Sequence, residues 1–207
     1  MDKIKLIRKF DKQSNLYERR RRQRTEREWR ERLISGVQGN VLEVAVGAGA
    51  NFPYYPKGIK LTAADFSPGM LGKAKAAAED HGIDATLIQS DIASLELPER
   101  SFDTIVSTLS FCGYEDPLEV LDLFNRWCKP DGRILLMEHG ISPNRFVGGV
   151  QQLLDPMLHR IVGCHFNRDI VKMLRSKLRI DRLEPHLFGS IHLIWASPAN
   201  ENRPSPI

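Results

Sequence analysis

The chain has 207 residues, 42% of them hydrophobic and 27% charged, and its formal net charge is +4 at pH 7. This length predicts one main domain, and this composition excludes an intrinsically disordered chain. The sequence has no apolar run long enough to span a bilayer, and its three cysteines lack the spacing of a disulfide framework or an all-cysteine zinc site. We therefore predict a cytoplasmic protein with reduced thiols and no bound metal.

Residues 1–40 carry a net positive charge, with 13 Lys and Arg against 6 Asp and Glu. The stretch 15–34 contains no Gly or Pro, and several glutamates precede arginines by four residues, as Glu26 precedes Arg30. This spacing supports an exposed helix. We predict a basic helical arm over residues 1–40.

The run from Arg19 to Arg24 in this arm has more than one interpretation. We predict that the run is solvated, while Leu16 and Tyr17 cover the ligand site as a lid. Peripheral contact with an anionic membrane is an alternative. Nucleic-acid binding is disfavoured, because no aromatic residue interrupts the run to provide a stacking platform.

From residue 41 onward, short apolar runs alternate with helical segments, a pattern typical of βαβ units around a mostly parallel sheet. Two predicted helices begin with a capping side chain followed by proline, at Ser67 and at Asp116. The pattern predicts one domain over residues 41–197 and a flexible tail over 198–207. Strands are predicted at residues 41–46, 60–64, 85–89, 102–107, 133–138, 179–184 and 190–196, the last two forming a hairpin. Helices are predicted at residues 67–80, 116–128, 147–161 and 168–177.

The first predicted strand runs directly into Gly47-Ala48-Gly49-Ala50-Asn51. Because the glycines and alanines of this segment have little or no side chain, a ligand can lie against the backbone at the carboxyl end of the sheet. A dinucleotide-binding loop would place a third glycine at position 52, where this chain has Phe52 followed by Pro53. The loop therefore predicts a small-molecule site and disfavours NAD and FAD.

Two acids follow neighbouring predicted strands. Asp65, at the end of the second strand, is placed to accept hydrogen bonds from both hydroxyls of a ribose. Asp91, after the third strand, can accept one from an adenine amino group, while Phe66 and Ile92 enclose the ring. We predict a ligand that contains a nucleoside and no pyrophosphate.

The chain resembles the class I S-adenosylmethionine-dependent methyltransferases over residues 41–139. It departs from the family pattern at Ala45 and Asp131, where glycine is usual. The resemblance rests on Glu43-x-Ala45-x-Gly47-x-Gly49, Asp65-Phe66-Ser67-Pro68-Gly69-Met70-Leu71, Ser90-Asp91, Phe102-Asp103-Thr104-Ile105-Val106 and Cys128-Lys129-Pro130-Asp131-Gly132.

This resemblance implies an α/β fold with a seven-stranded Rossmann-like sheet, mostly parallel, with a C-terminal antiparallel hairpin and helices on both faces. It implies S-adenosylmethionine as the methyl donor and S-adenosylhomocysteine as the product. The predicted cofactor-binding residues are Tyr17, Glu43, Gly47, Gly49, Asn51, Asp65, Phe66, Met70, Asp91, Ile92 and Thr108.

A narrower resemblance concerns the acceptor. Four segments are similar to the methyltransferase-like subfamily whose animal members methylate alkyl thiols: residues 49–56, Met137-Glu138-His139, residues 151–156 and Gly163-Cys164. Related patterns occur in quinone C-methyltransferases and bacterial phospholipid N-methyltransferases. We predict a small, fairly apolar acceptor, a thiol before a lipid headgroup or a quinone. A noncatalytic cofactor-binding module that docks a partner through the arm is the second alternative.

Two residues are candidates for the catalytic chemistry. His139 follows the fifth strand at the carboxyl edge, where open α/β sheets bind ligands, although it could equally be a packed residue. Asp155 precedes Pro156, and its alternative role is to cap a turn.

Overall fold

The computed structural model of the chain describes residues 3–23, 26–162 and 165–199. The predictions for Arg24, for the Gly163-Cys164 pair and for positions 200–207 of the tail lie outside the described residues.

Seven strands form one mixed sheet in the order β3-β2-β1-β4-β5-β7-β6. Strands β1 to β5 are parallel to one another, and β7 is antiparallel to both β5 and β6. This arrangement confirms the predicted mostly parallel sheet with an antiparallel C-terminal hairpin. The strands are β1 (Asn40–Val44), β2 (Lys60–Asp65), β3 (Ala85–Gln89), β4 (Phe102–Thr108), β5 (Cys128–His139), β6 (Leu178–His186) and β7 (Ile191–Pro198).

Helices begin where the capping chemistry predicts. The Ser67 hydroxyl accepts a hydrogen bond from Met70 N, and the Asp116 carboxylate accepts from Leu118 N and Glu119 N. The helices are α1 (Lys3–Arg22), α2 (Arg27–Ile34), α3 (Pro68–His81), α4 (Pro117–Trp127), α5 (Arg145–Val162) and α6 (Ile170–Arg175). None of the helices described is both long and apolar enough to cross a bilayer.

Both faces of the sheet are covered, because successive residues of a strand point to opposite sides. In β5, Ile134 and Leu136 pack with Phe124 and Trp127 of α4, whereas Leu135 and Met137 pack on the other face with α2 and α3. The two cores fix the strands so that their carboxyl ends meet at one edge, where the glycine loop and the predicted site residues lie.

The arm differs from its prediction in two ways. It is two helices, because the chain turns after Arg22 and Glu26 adopts a left-handed conformation with φ of 58°. The predicted solvation of the arginine run is wrong at Arg21, which is only 6% exposed. The predicted docking of Leu16 is also wrong, since that side chain is 55% exposed. Phe10 and Leu6, about two and three turns earlier, face the domain instead.

Candidate active site

Two adjoining cavities open at the carboxyl edge of the sheet. The first, of about 380 Å³, is lined by Asp91 and Ile92, and the second, of about 470 Å³, by Gly47 and His139. Asp65 lines both cavities. The site is therefore an elongated cleft, and the Asp65 carboxylate lies where its two cavities meet.

Asp65 is held by the backbone on both sides. Its Oδ2 accepts a hydrogen bond from Gly47 N, and its Oδ1 accepts one from Ser67 N, each at 2.9 Å. Burial raises the pKa of this carboxyl, and the two backbone donors partly offset the rise. Each carboxylate oxygen can accept a further hydrogen bond, so this geometry fits the predicted contact with two ribose hydroxyls.

The glycine loop follows β1 through a left-handed turn. Ala45 has φ of 50° and Gly47 φ of 54°. The sequence placed Ala45 within the first strand, but β1 ends at Val44, so alanine holds a conformation that favours glycine at a cost of roughly 1 kcal/mol. Gly49 has φ of 75°, and a Cβ there would lie 2.9 Å from the Ala77 Cβ of α3. That glycine lets the loop pack against α3.

Behind the loop lies a buried polar network. Glu43 accepts hydrogen bonds from Asn51 Nδ2 and from the Tyr55 hydroxyl, both at 2.8 Å. Arg30 Nη1 donates to Asn51 Oδ1 at 2.7 Å and to Thr108 Oγ1 at 3.2 Å. Burial raises the pKa of Glu43 to about 7 although these neighbours lower it. The network fixes the loop from behind.

Arg30 is a site residue that the sequence analysis missed. The spacing to Glu26 suggested an exposed ion pair, yet Arg30 is only 5% exposed. The available signal was the apolar cluster around it, Trp29, Leu33 and Ile34, which shows that this end of the arm docks on the domain.

Arg30 and Arg21 make one end of the second cavity cationic. Both residues line the cavity, and Arg30 Nε, Arg21 Nε and Arg21 Nη2 have no hydrogen-bond partner within the described part of the chain, although Arg21 also forms longer ion pairs with Glu18 at 3.8 Å and Asp80 at 3.7 Å. Buried donors of this kind are costly unless a ligand satisfies them. A carboxylate, such as that of the amino-acid tail of S-adenosylmethionine, suits this end.

Helix α1 closes over the cleft through a second residue missed from sequence, Asp11. Its Oδ1 accepts hydrogen bonds from the Ser67 hydroxyl at 2.5 Å and from Gly69 N at 2.9 Å. The Phe10 ring meets the Phe66 ring edge-on, with centroids 5.3 Å apart. Tyr17 lines the second cavity beside Gly47. The arm is thus docked as a lid on residues that also form the cleft.

The wall opposite the lid carries His139. Its ring stacks on Phe166 with centroids 4.3 Å apart, and its Nδ1 has no partner within the described residues. Asp155 accepts hydrogen bonds from Phe166 N at 2.6 Å and from His165 Nδ1 at 3.0 Å, and these bonds lower its pKa against the opposing effect of burial. His139 therefore lines the cavity, whereas Asp155 makes the contacts of a capping residue.

The remaining predicted cofactor residues fall into three groups. Phe66 lines both cavities, and Met70 and Thr108 line the second. Asp91 lines the first, where its Oδ1 also accepts a hydrogen bond from Ala93 N at 3.0 Å. Glu43, Gly49 and Asn51 support the loop from behind.

Glu138, next to His139, holds the loop that follows β4. It is fully buried, and its Oε2 accepts hydrogen bonds from Ser110 N at 3.0 Å and Phe111 N at 3.1 Å. Burial raises the pKa of Glu138 to about 8, more than these donors lower it.

The two buried acids lead to a prediction about stability and pH. Glu43 and Glu138 have folded-state pKa values of about 7 and about 8, above those of exposed glutamates. The folded chain therefore holds more protons than the unfolded chain, and the free energy of unfolding should fall as pH rises from about 5 to about 8. Urea denaturation across this range measures the fall, and Glu138→Gln should make it shallower. An unchanged pH dependence in Glu138→Gln would contradict this account.

Known proteins resemble this chain in both sequence and fold. A family model described as a methyltransferase domain matches residues 42–136. A thiol S-methyltransferase of Mus musculus, TMT1B, is 29% identical over 172 residues, which cover 80% of this chain and 67% of that protein. A phosphatidylethanolamine N-methyltransferase of Cereibacter sphaeroides is 33% identical over 108 residues, covering 51% of this chain and 53% of that protein.

A solved structure with the same fold is the geranyl diphosphate C-methyltransferase of Streptomyces coelicolor A3(2). It was crystallised with Mg²⁺, geranyl diphosphate and S-adenosyl-L-homocysteine, and matches with a TM-score of 0.66 at 14% identity. The match covers 86% of this chain and 82% of that one.

Proposed function

Because the chain belongs to the class I S-adenosylmethionine-dependent methyltransferases, we propose that it methylates a small, fairly apolar thiol. The observation that carries the choice of acceptor is the composition of the second cavity beyond the glycine loop. Much of its wall there is apolar, formed by Leu109, Met137, Phe166, Leu187 and Ile191, and the half-buried His139 lies among them together with the polar residues Gln151 and Ser190.

The cofactor fits the cleft along its length. The first cavity, with Asp91 and Ile92, suits the adenine. Asp65, where the two cavities meet, suits the ribose, and Arg30 suits the carboxylate of the amino-acid tail. S-adenosylmethionine supplies a methyl group that is already electrophilic. The protein therefore has to orient the acceptor, exclude water and remove the acceptor's proton.

A thiol acceptor needs less help with losing its proton from the residues of this wall than an amine acceptor does. A thiol of ordinary pKa, about 8.5, becomes a nucleophilic thiolate once a neighbouring group takes its proton. Two observations support His139 in that role: the residue lines the second cavity, and its Nδ1 has no hydrogen-bond partner among the described residues. His139 would take the thiol proton, and the thiolate sulfur would bond to the methyl carbon as the bond from that carbon to the sulfonium sulfur breaks, which releases S-adenosylhomocysteine.

A cationic amine headgroup would instead need a free carboxylate. The two carboxylates that line the second cavity are Asp65 and Glu26. Asp65 binds the backbone N–H groups of Gly47 and Ser67, and Glu26 pairs with Arg20 at 2.9 Å and Arg30 at 3.4 Å. Both are already engaged, which supports a neutral acceptor.

A methyl-transfer assay with labelled S-adenosylmethionine tests the proposal. Alkyl thiols should be turned over faster than amines, quinols or phosphatidylethanolamine. His139→Gln should lower kcat most for thiols of high pKa and least for acidic aryl thiols, because only the former need a base. His81→Gln, at the exposed end of α3, is the matched control.

The rival functions predict different results. Preferred turnover of phosphatidylethanolamine or of a quinol would replace the thiol proposal. No turnover of any acceptor, together with tight binding of S-adenosylhomocysteine, would favour a noncatalytic module. Equal losses in His139→Gln for acidic and weakly acidic thiols would remove His139 as the base.

A further inference from the structure

Helix α5 has the reverse of the usual amphipathic pattern. At about 100° per residue, the side facing the domain carries Gly148, Gln151 and Asp155, which are buried or half-buried. Polar contacts hold this side, since Gln151 Oε1 accepts a hydrogen bond from Ser142 N at 2.7 Å. The opposite side carries large apolar residues in solvent: Phe146, Val150, Leu153, Leu154 and Met157.

The turn between β6 and β7 extends this surface. Leu187 and Phe188 are both exposed, and the Ser142 hydroxyl donates a hydrogen bond to the Phe188 carbonyl at 2.5 Å, which fastens the turn beside the start of α5. Together with α5 these residues form what we call the apolar face: Phe146, Val150, Leu153, Leu154, Met157, Leu187 and Phe188. Phe146, Leu153 and Phe188 are 81%, 79% and 77% exposed, and apolar surfaces of this kind mark binding sites.

The charges around the apolar face are basic. Arg145 and Arg160 lie at the two ends of α5 and are exposed, whereas the single acid of the helix, Asp155, is turned inward. Lys9 of α1 donates to the Arg160 carbonyl at 3.4 Å, so the N-terminal half of α1 lies next to the end of α5. The exposed side chains of this part of α1 include three further cations, Lys5, Arg8 and Lys12.

We propose that the apolar face docks on the surface of an anionic lipid bilayer. An apolar helical surface with a basic border matches both the acyl region and the headgroups of such a bilayer. This surface differs from the arginine run of residues 19–24, which the sequence suggested for membrane contact. Leu187 belongs to the apolar face and also lines the second cavity, so an apolar acceptor dissolved in the bilayer reaches the site without crossing water. The proposal does not depend on the acceptor being a thiol.

Vesicle flotation tests the proposal without any enzymatic readout. The wild-type chain should bind vesicles of phosphatidylcholine mixed with phosphatidylglycerol more tightly than vesicles of phosphatidylcholine alone. The triple variant Phe146→Ser, Leu153→Ser, Phe188→Ser should bind about a hundredfold more weakly or worse. Because the three side chains are largely exposed, the variant should keep its thermal stability and its binding of S-adenosylhomocysteine. Leu118→Ser, an exposed apolar position on α4, is the matched control.

A separate variant tests how much the basic residues contribute to vesicle binding. Arg145→Gln with Arg160→Gln should weaken binding to the anionic vesicles and leave the weak binding to neutral vesicles unchanged. Three results would overturn the proposal: no binding of the wild-type chain to either vesicle, undiminished binding of the triple serine variant, or a dimer in solution that the triple variant abolishes while vesicles bind neither form. The last result would assign the face to a second copy of the chain.

Discussion

Asp65→Ala should weaken the binding of S-adenosylhomocysteine by at least about a hundredfold. Two charge-assisted hydrogen bonds to the ribose are lost, at about 1.5–3 kcal/mol each, and about 1.4 kcal/mol corresponds to tenfold in affinity. The structure adds a further loss, because Gly47 N and Ser67 N donate to the same carboxylate and would be left unpaired. Isothermal titration calorimetry measures the effect, with circular dichroism to confirm that the variant is folded.

Two further variants test the same assignment of the ribose to Asp65. Asp65→Asn keeps one acceptor oxygen and should give an intermediate loss. Asp91→Ala should weaken binding less than Asp65→Ala, because Asp91 is partly exposed and water can replace one adenine contact. Unchanged affinity in Asp65→Ala would refute the ribose position, and a larger loss in Asp91→Ala would reverse the roles of the two acids.

The sheet and the cofactor side of the cleft could be predicted because local patterns encode them. Alternating apolar runs indicate parallel strands, and parallel strands bring their carboxyl ends to one edge. Asp65, Asp91 and the glycine loop therefore converge without any knowledge of long-range packing. The two capped helix starts, at Ser67 and Asp116, are equally local.

The features that were missed depend on tertiary contacts. Residues 15–34 contain no Gly or Pro, yet the chain turns at Glu26, whose left-handed backbone is accompanied by ion pairs to Arg20 and Arg30. The periodicity of α5 shows an apolar side but not whether it faces the core or solvent. For the same reason sequence alone could not distinguish buried Arg21 from its exposed neighbours.

The second large effect should come from undocking the lid. The double variant Phe10→Ala, Asp11→Ala should lower kcat/KM with a soluble acceptor by about a hundredfold. It removes two hydrogen bonds to a carboxylate and an aromatic contact that hold α1 across the cleft. Deleting residues 1–20 should lower it further, because Leu6 and Tyr17, which line the second cavity, are lost as well. A closed lid excludes water and completes the pocket.

The control for this prediction must change charge without moving the lid. Arg21 is buried and Arg20 pairs with Glu26, so neither is suitable. Lys12 and Arg19 are exposed on α1. The double variant Lys12→Gln, Arg19→Gln should keep kcat/KM within about twofold of the wild-type value, because exposed charges act mainly through screened, long-range attraction. If this control loses activity while Phe10→Ala, Asp11→Ala retains it, α1 acts by recruiting an anionic partner, and closure of the cleft is not its role.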